Sequence, residues 1–363
     1  MSSFRDPKAF ADPEDSQLVE KAKAEINEPS LYTFSERDVI LYNLGIGATE
    51  RELKWTFEGD DEFSALPTFG VIPQFPCSSG ISLDFLPNYN PAKLLHGEQY
   101  LNIKEPIPTS GELVSEARQG FSGCCFDIDV NVTSRILEVL DKGKAAAVTT
   151  IIETREKLSG KLIFENQSTV FIRGSGGFGG KRTGNGEAAA LPFASRGNPT
   201  DTGVSSPAPV HMFRQNLFAD ENLFPTDRGA ASATNAPPKR KPDAVVEEQT
   251  TTSQAALYRL SGDYNPLHIL PEFAAIGGFD QPILHGLCFM GIAGKHVLTT
   301  YGPYKDIKVR FAGVVYPGET IVTEMWKEGD KVIFTAKVKE RNSVALAAAA
   351  VTLVDSSVPK AKL

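Results

Sequence analysis

The densest run of groups able to handle protons in this chain is Tyr258-Arg-Leu-Ser-Gly-Asp-Tyr-Asn-Pro-Leu-His268. Gly262, Asp263, Asn265 and Pro266 interrupt any helical periodicity and make a turn. Asp263 and His268 therefore stand at the two ends of a short rigid loop, from which both can point into one cavity. A carboxylate beside an imidazole suits a reaction that takes a proton from one place and delivers one to another. Addition of water to a double bond is such a reaction: one group accepts a proton from water and another gives a proton to carbon. The reference pKa of histidine, about 6.5, keeps both of its forms available near neutrality. Asn265 could hold the loop's geometry or donate to a water. For a lone Asp-x-Asn-Pro the plainer alternative is an Asx turn next to a surface histidine; the length of the whole string favours chemistry.

The elements that must position this loop lie on either side of it. Ile283 to Tyr301 is apolar nearly all round, with Gly286, Gly291 and Gly294 interspersed, which predicts a helix buried inside a sheet. His285-Gly286 opens that helix, so the N–H of Gly286 is placed to polarise a carbonyl as an oxyanion donor, while His285 reads as a structural residue. Further on, Val332, Phe334, Ala336 and Val338 alternate with polar neighbours as a strand with one wet face. Glu319–Lys327 and Ser343–Val354 flank it across turn signals at Glu328-Gly-Asp330 and Arg341-Asn342, giving an antiparallel meander.

Three echoes in the same order imply that this unit is duplicated. Leu41-Tyr-Asn-Leu-Gly45 answers Leu257-Tyr-Arg-Leu-Ser-Gly262. Leu95-His96-Gly97 answers Leu284-His285-Gly286, and Ile107 to Glu116 answers Val315 to Glu324. The expected fold is α+β, a double hot-dog in which each repeat is an antiparallel sheet wrapped around a central helix. The expected divisions are a lead-in over 1–30, a first, non-catalytic substrate-binding repeat over 31–180, a flexible linker over 181–248, a catalytic repeat over 249–356 and a tail over 357–363. The linker reading rests on composition: seven prolines between Gly197 and Asp243, among Ser, Thr, Asn and Gly, leave little apolar surface to offset ordering entropy.

Composition narrows the function. Hydrophobic residues at 41% and charged residues at 23% belong to an ordinary globular protein. A net charge of −8 points away from nucleic acid, and an anionic substrate would need a local basic patch. No run approaches the roughly 18 apolar residues of a membrane span. The four cysteines, Cys77, Cys124, Cys125 and Cys288, form no C-x-x-C pair and read as reduced. Gly174-Ser-Gly-Gly-Phe-Gly179 fits G-x-G-x-x-G, yet no helix follows, so a dinucleotide site is not expected. Asp263, His268 and His285 match no metal-site spacing, and no metal is expected.

The string Ala256 to His268, followed by Ile283-Leu-His-Gly-Leu287, resembles the signature of the hydratase-2 (MaoC-like) family, as found in the hydratase region of peroxisomal multifunctional enzymes of type 2. The likeness extends to Leu66-Pro-Thr-Phe-Gly70, Leu94 to Tyr100, Asp141-Lys-Gly143, Gly174 to Arg182 and Tyr316-Pro-Gly-Glu-Thr320. It implies reversible syn hydration of a trans-2-enoyl-CoA to the (3R)-3-hydroxyacyl-CoA, with Asp263 and His268 catalytic. It implies no cofactor, coenzyme A being part of the substrate. It places His96, Gly97, Lys142 and Phe311 at the CoA thioester, with Lys142 on a phosphate; a solvated turn lysine is the equal alternative there. Two departures stand out: a stretch from Arg118 to Ser134 that looks like an insertion in an otherwise continuous strand region, and a linker longer than the family's. Neither touches the signature loop.

The sequence ends Ala361-Lys362-Leu363, which is similar to the S-K-L address read by the peroxisomal import receptor, so a peroxisomal location is expected. A homodimer is left open. Two other functions use the same fold: a non-catalytic acyl-CoA-binding protein and a hot-dog acyl-CoA thioesterase.

Overall fold

The computed structural model describes residues 17–24, 29–78, 81–116, 135–184 and 228–354. The stretch from Arg118 to Ser134, most of the linker and the C-terminal tripeptide lie outside the described residues.

In the second repeat the alternation read from sequence becomes a sheet. Val332, Phe334, Ala336 and Val338 of β10 (Lys331–Val338) are fully buried, as a period of two requires. β10 lies antiparallel between β9 (Thr320–Glu328) and β11 (Ser343–Leu353). Gly329 and Asn342, both at positive φ, turn the chain at the two ends. β8 (Tyr304–Phe311) joins β11, and β7 (Ala244–Gln249) joins β9 along its whole length. The last strand corrects the linker boundary. Ordered structure begins before 249, because Ala244 and Val246 alternate with exposed residues and pack against the core. Against this half-sheet lies α7 (Gly286–Tyr301), buried from Leu287 to Val297.

The first repeat contains β1 (Ser30–Phe34), β2 (Leu94–Ile103), β3 (Gly111–Glu116), β4 (Arg135–Asp141), β5 (Ala145–Glu156) and β6 (Leu162–Arg173). From the junction outward, β2, β6, β5, β3 and β1 match β8, β11, β10, β9 and β7. β3 pairs with Glu153–Glu156 of β5, and β4 pairs with Ala146–Ile151 of the same strand. The two pair with successive lengths of the same strand. β2 and β8 pair antiparallel from Glu98↔Arg310 to Asn102↔Asp306, so among the described residues the two repeats share one eleven-stranded sheet.

The helices are less alike. α1 (Gln17–Ala24) covers an outer cluster formed with Ile136, Val139, Ala146, Val148 and Ile172. α2 (Glu36–Gly45) is followed by the single turns α3 (Leu53–Thr56) and α4 (Phe75–Ser78), with 3-10 turns at Pro67–Val71 and Pro91–Lys93, so among the described residues no helix of the length of α7 directly precedes β2. One of the three echoes is therefore a likeness of sequence and not of place. Leu95-His96-Gly97 lies in β2, where Gly97 marks a bulge, whereas Leu284-His285-Gly286 starts a helix. The residues that follow decide the outcome: Glu98 to Ile103 pairs on both sides as a strand, and Leu287 to Val297 is an apolar run long enough for a buried helix.

The echo at Tyr42 and Tyr258 is a true one. α2 packs on α5 (Gln254–Tyr258), and the two buried rings stand 6.0 Å apart. Gln254 donates to the Gly45 carbonyl at 2.7 Å. On α7, Lys295 is 6% exposed, donates to the Gly47 carbonyl and pairs with Glu248 at 2.9 Å. A Cβ at Gly291 would lie 2.6 Å from Ile46, so glycine there lets the first repeat reach the central helix. The main core accordingly draws residues from both repeats, from Phe34 to Val351.

Candidate functional site

The signature loop is built by local backbone bonds. Pro266 opens a single 3-10 turn ending at His268; Asn265 caps it, its side-chain oxygen accepting from Leu267 N at 3.0 Å. Asn265 N in turn donates to Asp263 Oδ1 at 3.2 Å. Asn265 is exposed, and its oxygen holds the turn that sets the spacing of Asp263 and His268. α6 (Pro271–Ile276) then carries the chain on towards α7.

His268 is buried, and its Nδ1 lies 2.8 Å from the Ile283 carbonyl, a bond that needs the proton on Nδ1. The neutral ring thus keeps its lone pair on Nε2. His285, the residue before α7, donates from Nε2 to the Asp263 backbone carbonyl at 3.2 Å, leaving a buried Nδ1 with no partner. The two imidazoles stack at 3.7 Å with 27° between planes. One polar atom each of Asp263, His268 and His285 falls within a common 4.8 Å.

Burial controls the charge of these rings. Desolvation lowers the pKa of His268 against the attraction of Asp263. It pushes His285 down to about 2, with repulsion from His268 adding to the effect. His96 crosses from the first repeat and bonds through Nε2 to the Glu98 carbonyl at 3.1 Å. Burial holds it down to about 4, partly offset by the charge on Asp263. Three neutral rings, two buried and His96 half-buried, therefore lie about one carboxylate.

Phe311, at the end of β8, packs 4.8 Å from His96 and edge-on to Phe289 of α7. Gly286, the first residue of α7, faces the same ring; a Cβ there would lie 3.0 Å from it. As the opening residue its N–H has no acceptor within the helix. Asp263, His268, Gly286, His96 and Phe311 are thus brought together from both repeats. Gly97 serves this arrangement through packing, because a Cβ would lie 2.3 Å from the Phe171 ring.

Lys142 is not in this group. It sits on the exposed turn after β4, with Nζ on the Arg182 carbonyl at 2.7 Å. Its neighbour Asp141 organises that corner. The Asp141 carboxylate accepts from Gly143 N, Gly177 N and Gly179 N at 2.8, 2.8 and 2.9 Å, which lowers its pKa, the Gly177 bond foremost. The G-x-G-x-x-G loop therefore wraps a carboxylate of the protein with amides that a nucleotide phosphate would otherwise claim. His285, read as a structural residue, stacks on His268, a contact that a histidine beside a helix start does not announce in sequence. Asp263, His268 and His285 converge closely enough to hold a metal ion, although one ring nitrogen of each histidine already faces a backbone carbonyl.

A pH dependence follows from the buried rings. A histidine whose folded pKa lies below its unfolded value of about 6.5 makes the unfolded chain the better proton binder as the pH falls below that value. Each of His96, His268 and His285 should then cost up to about 1.4 kcal/mol of stability per pH unit between about 6.5 and its folded pKa. Urea midpoints are expected to fall steeply from pH 6.5 to 5. A flat profile over that range would mean that the rings are not buried in neutral form.

Comparison with known proteins bears on this arrangement. The family model of the MFE-2 hydratase 2 N-terminal domain matches residues 32–119 and 127–174, and that of the MaoC like domain matches 233–349. A peroxisomal hydratase-dehydrogenase-epimerase of Neurospora crassa is 49% identical over 89% of this chain, which spans 30% of that longer protein. A peroxisomal enoyl-CoA hydratase 2 of Arabidopsis thaliana is 37% identical, the match covering 87% of this chain and 89% of the relative. The crystal structure of a MaoC-like dehydratase from Phytophthora capsici superposes with a TM-score of 0.66 at 32% identity, covering 93% of this chain and 98% of the other. The chain belongs to the hydratase 2 family of double hot-dog, MaoC-like proteins.

Proposed function

We propose that this chain catalyses the reversible hydration of trans-2-enoyl-CoA to (3R)-3-hydroxyacyl-CoA, with Asp263 and His268 as the proton-transferring pair. The observation that carries the reading is the convergence of the Asp263 carboxylate and the His268 imidazole, its Nδ1 tied to Ile283, at the mouth of a helix that offers a free N–H. The names of the Arabidopsis and Neurospora relatives give the substrate class.

In the hydration direction, a water held between Asp263 and His268 loses a proton to one of them as its oxygen bonds to C3. The electrons of the double bond move towards the thioester, and the developing charge on its oxygen is met by Gly286 N–H and the N-terminal end of α7. The proton taken from the water, held on the pair, is then delivered to C2, so Asp263 and His268 end in the protonation states in which they began. Because both groups reach the substrate from one side, water adds syn. His96 and Phe311 wall the thioester, and Asn265 keeps the loop in register. No metal or organic cofactor enters this scheme.

The proposal extends to a peroxisomal location, supported by the names of the relatives. Recognition of Ala361-Lys362-Leu363 by the import receptor and assembly as a homodimer belong to it as well. A crotonyl- or decenoyl-CoA assay tests the activity: absorbance of the conjugated thioester should disappear while a thiol reagent detects no free CoA. Release of thiol would indicate a thioesterase, and tight binding with no spectral change would indicate a binding protein.

A further inference from the structure

The chain reaches β7 along a path that the reaction scheme leaves unused. Between 228 and 243 it crosses the shared sheet, meeting the strands in their spatial order. Arg228 donates from Nη2 to Glu98 Oε2 of β2 at 2.6 Å. Ala231 is fully buried in the 3-10 turn that follows, and Lys308 Nζ of β8 donates to the Ala233 carbonyl at 2.5 Å. Asn235 Nδ2 donates to the Ala348 carbonyl of β11 at 3.4 Å, and Trp326 Nε1 of β9 donates to the Arg240 carbonyl at 2.9 Å. The first of these partners belongs to the first repeat and the others to the second, so the segment straps the seam between them.

At the seam, alternation sends Leu101, Ile307 and Val309 into the core and turns Glu98, Tyr100 and Lys308 to the strapped face. Glu98↔Arg310 is the last pair of the β2–β8 ladder at the end nearest the site. One residue beyond it on β8 stands Phe311. Across the bulge at Gly97 on β2 stands His96, whose Nε2 donates to the carbonyl of Glu98 itself. Glu98 therefore holds His96 through its backbone and Arg228 through its side chain. The ion pair is largely shielded, the two side chains being 18% and 22% exposed, and the Nε of Arg228 is buried with no partner among the described residues. The contact with Glu98 is what offsets the cost of holding this cation out of water.

Resting on the hydratase reading above, we propose that Arg228 is a positioning residue for that reaction: by fixing Glu98 at the end of the seam, it sets His96 and Phe311, which wall the thioester. Arg228 itself touches neither the substrate nor the proton-transferring pair. Without its charge the end of β2 is free to draw away from β8. The thioester oxygen then loses its alignment with Gly286 N–H, a misplacement that costs rate even where the fold survives. The role depends on a full positive charge at 228, which lysine also supplies.

Arg228→Gln should lower kcat/KM for crotonyl-CoA about tenfold at a temperature well below its unfolding midpoint, and Arg228→Lys should recover most of that loss. His96→Gln should cause a loss of its own. Adding Arg228→Gln to it should cost less than about a further twofold, because the two act in one line. Losses that multiply overturn the assignment, and so does a kcat/KM of Arg228→Gln within about twofold of the parent. Should Arg228→Gln fail to fold, the exchanged pair Glu98→Arg with Arg228→Glu is read in its place. A kcat/KM within about fivefold of the parent then supports the role, and a larger loss overturns it. A readout without turnover separates this idea from the hydratase reading. In protein carrying isotope-labelled histidine, the His96 ring is identified by its absence in His96→Gln. It should hold its proton on Nε2 in the parent and lose that single tautomer in Arg228→Gln. An unchanged ring signal refutes the positioning role. A parent that hydrates no enoyl-CoA while the signal still changes strikes the hydratase reading alone and upholds Arg228 as the keeper of His96.

Discussion

Asp263→Asn and His268→Gln should each lower kcat for enoyl-CoA hydration by about 10²–10⁴-fold, with KM changed far less. Asp263→Asn keeps the size of the side chain and an oxygen that can accept from Asn265 N, now at 3.2 Å from Asp263 Oδ1, so the loop should hold its shape. His268→Gln retains a side-chain N–H for the Ile283 carbonyl, which His268→Ala would leave buried and unpaired. The two substitutions remove proton transfer while sparing most of the packing. Together they should cost little more than either alone, because the two groups act on one water and one substrate. Thermal unfolding within a few degrees of the parent would show that the loss is chemical. Should either variant keep kcat within about threefold of the parent, the proton-transfer role given to that residue is wrong.

The sequence made this pair visible because its spacing is local. A turn rich in Gly, Asn and Pro brings residues five apart in sequence to one place without help from the rest of the chain. The strands of the second repeat were equally plain, since one wet face forces an alternation that Val332, Phe334, Ala336 and Val338 display. What could not be read depends on contacts distant in sequence. His96 and Phe311 meet because β2 pairs with β8, and nothing around either residue announces that partner. The stack of His285 on His268 arises from the way α7 enters the sheet. Leu95-His96-Gly97 and Leu284-His285-Gly286 share a string and not a place, because the longer run after each decides between strand and helix. Nothing beside Asp141 announces its partners, because Gly177 and Gly179 lie in a distant loop whose glycine pattern resembles a phosphate site.

The second repeat made alone, from about Pro242 onward, should be inactive and poorly soluble, although it contains Asp263, His268, Gly286 and Phe311. Its sheet would end at β8, whose unpaired edge, from Asp306 to Arg310, is the one covered by β2 in the whole chain. Tyr258 would lose Tyr42, Gln254 would lose the Gly45 carbonyl, and buried Lys295 would lose the Gly47 carbonyl that shares its charge with Glu248. A buried cation stripped of a partner is costly, and so is an apolar face left open to water. The active site would lose His96, the wall opposite Phe311, at the same time. The first repeat cannot substitute for chemistry: where the second has Asp263-Tyr-Asn-Pro-Leu-His268, it continues Ile46-Gly-Ala-Thr-Glu50 with neither group in place. One site per chain follows, and titration of the full chain with a non-hydratable acyl-CoA analogue should saturate at one equivalent. Co-expression of the two repeats as separate chains should restore both solubility and hydration, because the β2–β8 ladder and the α2–α5 contact join them directly. A soluble second repeat with full activity, or two equivalents bound per chain, would show that the repeats do not build the site jointly.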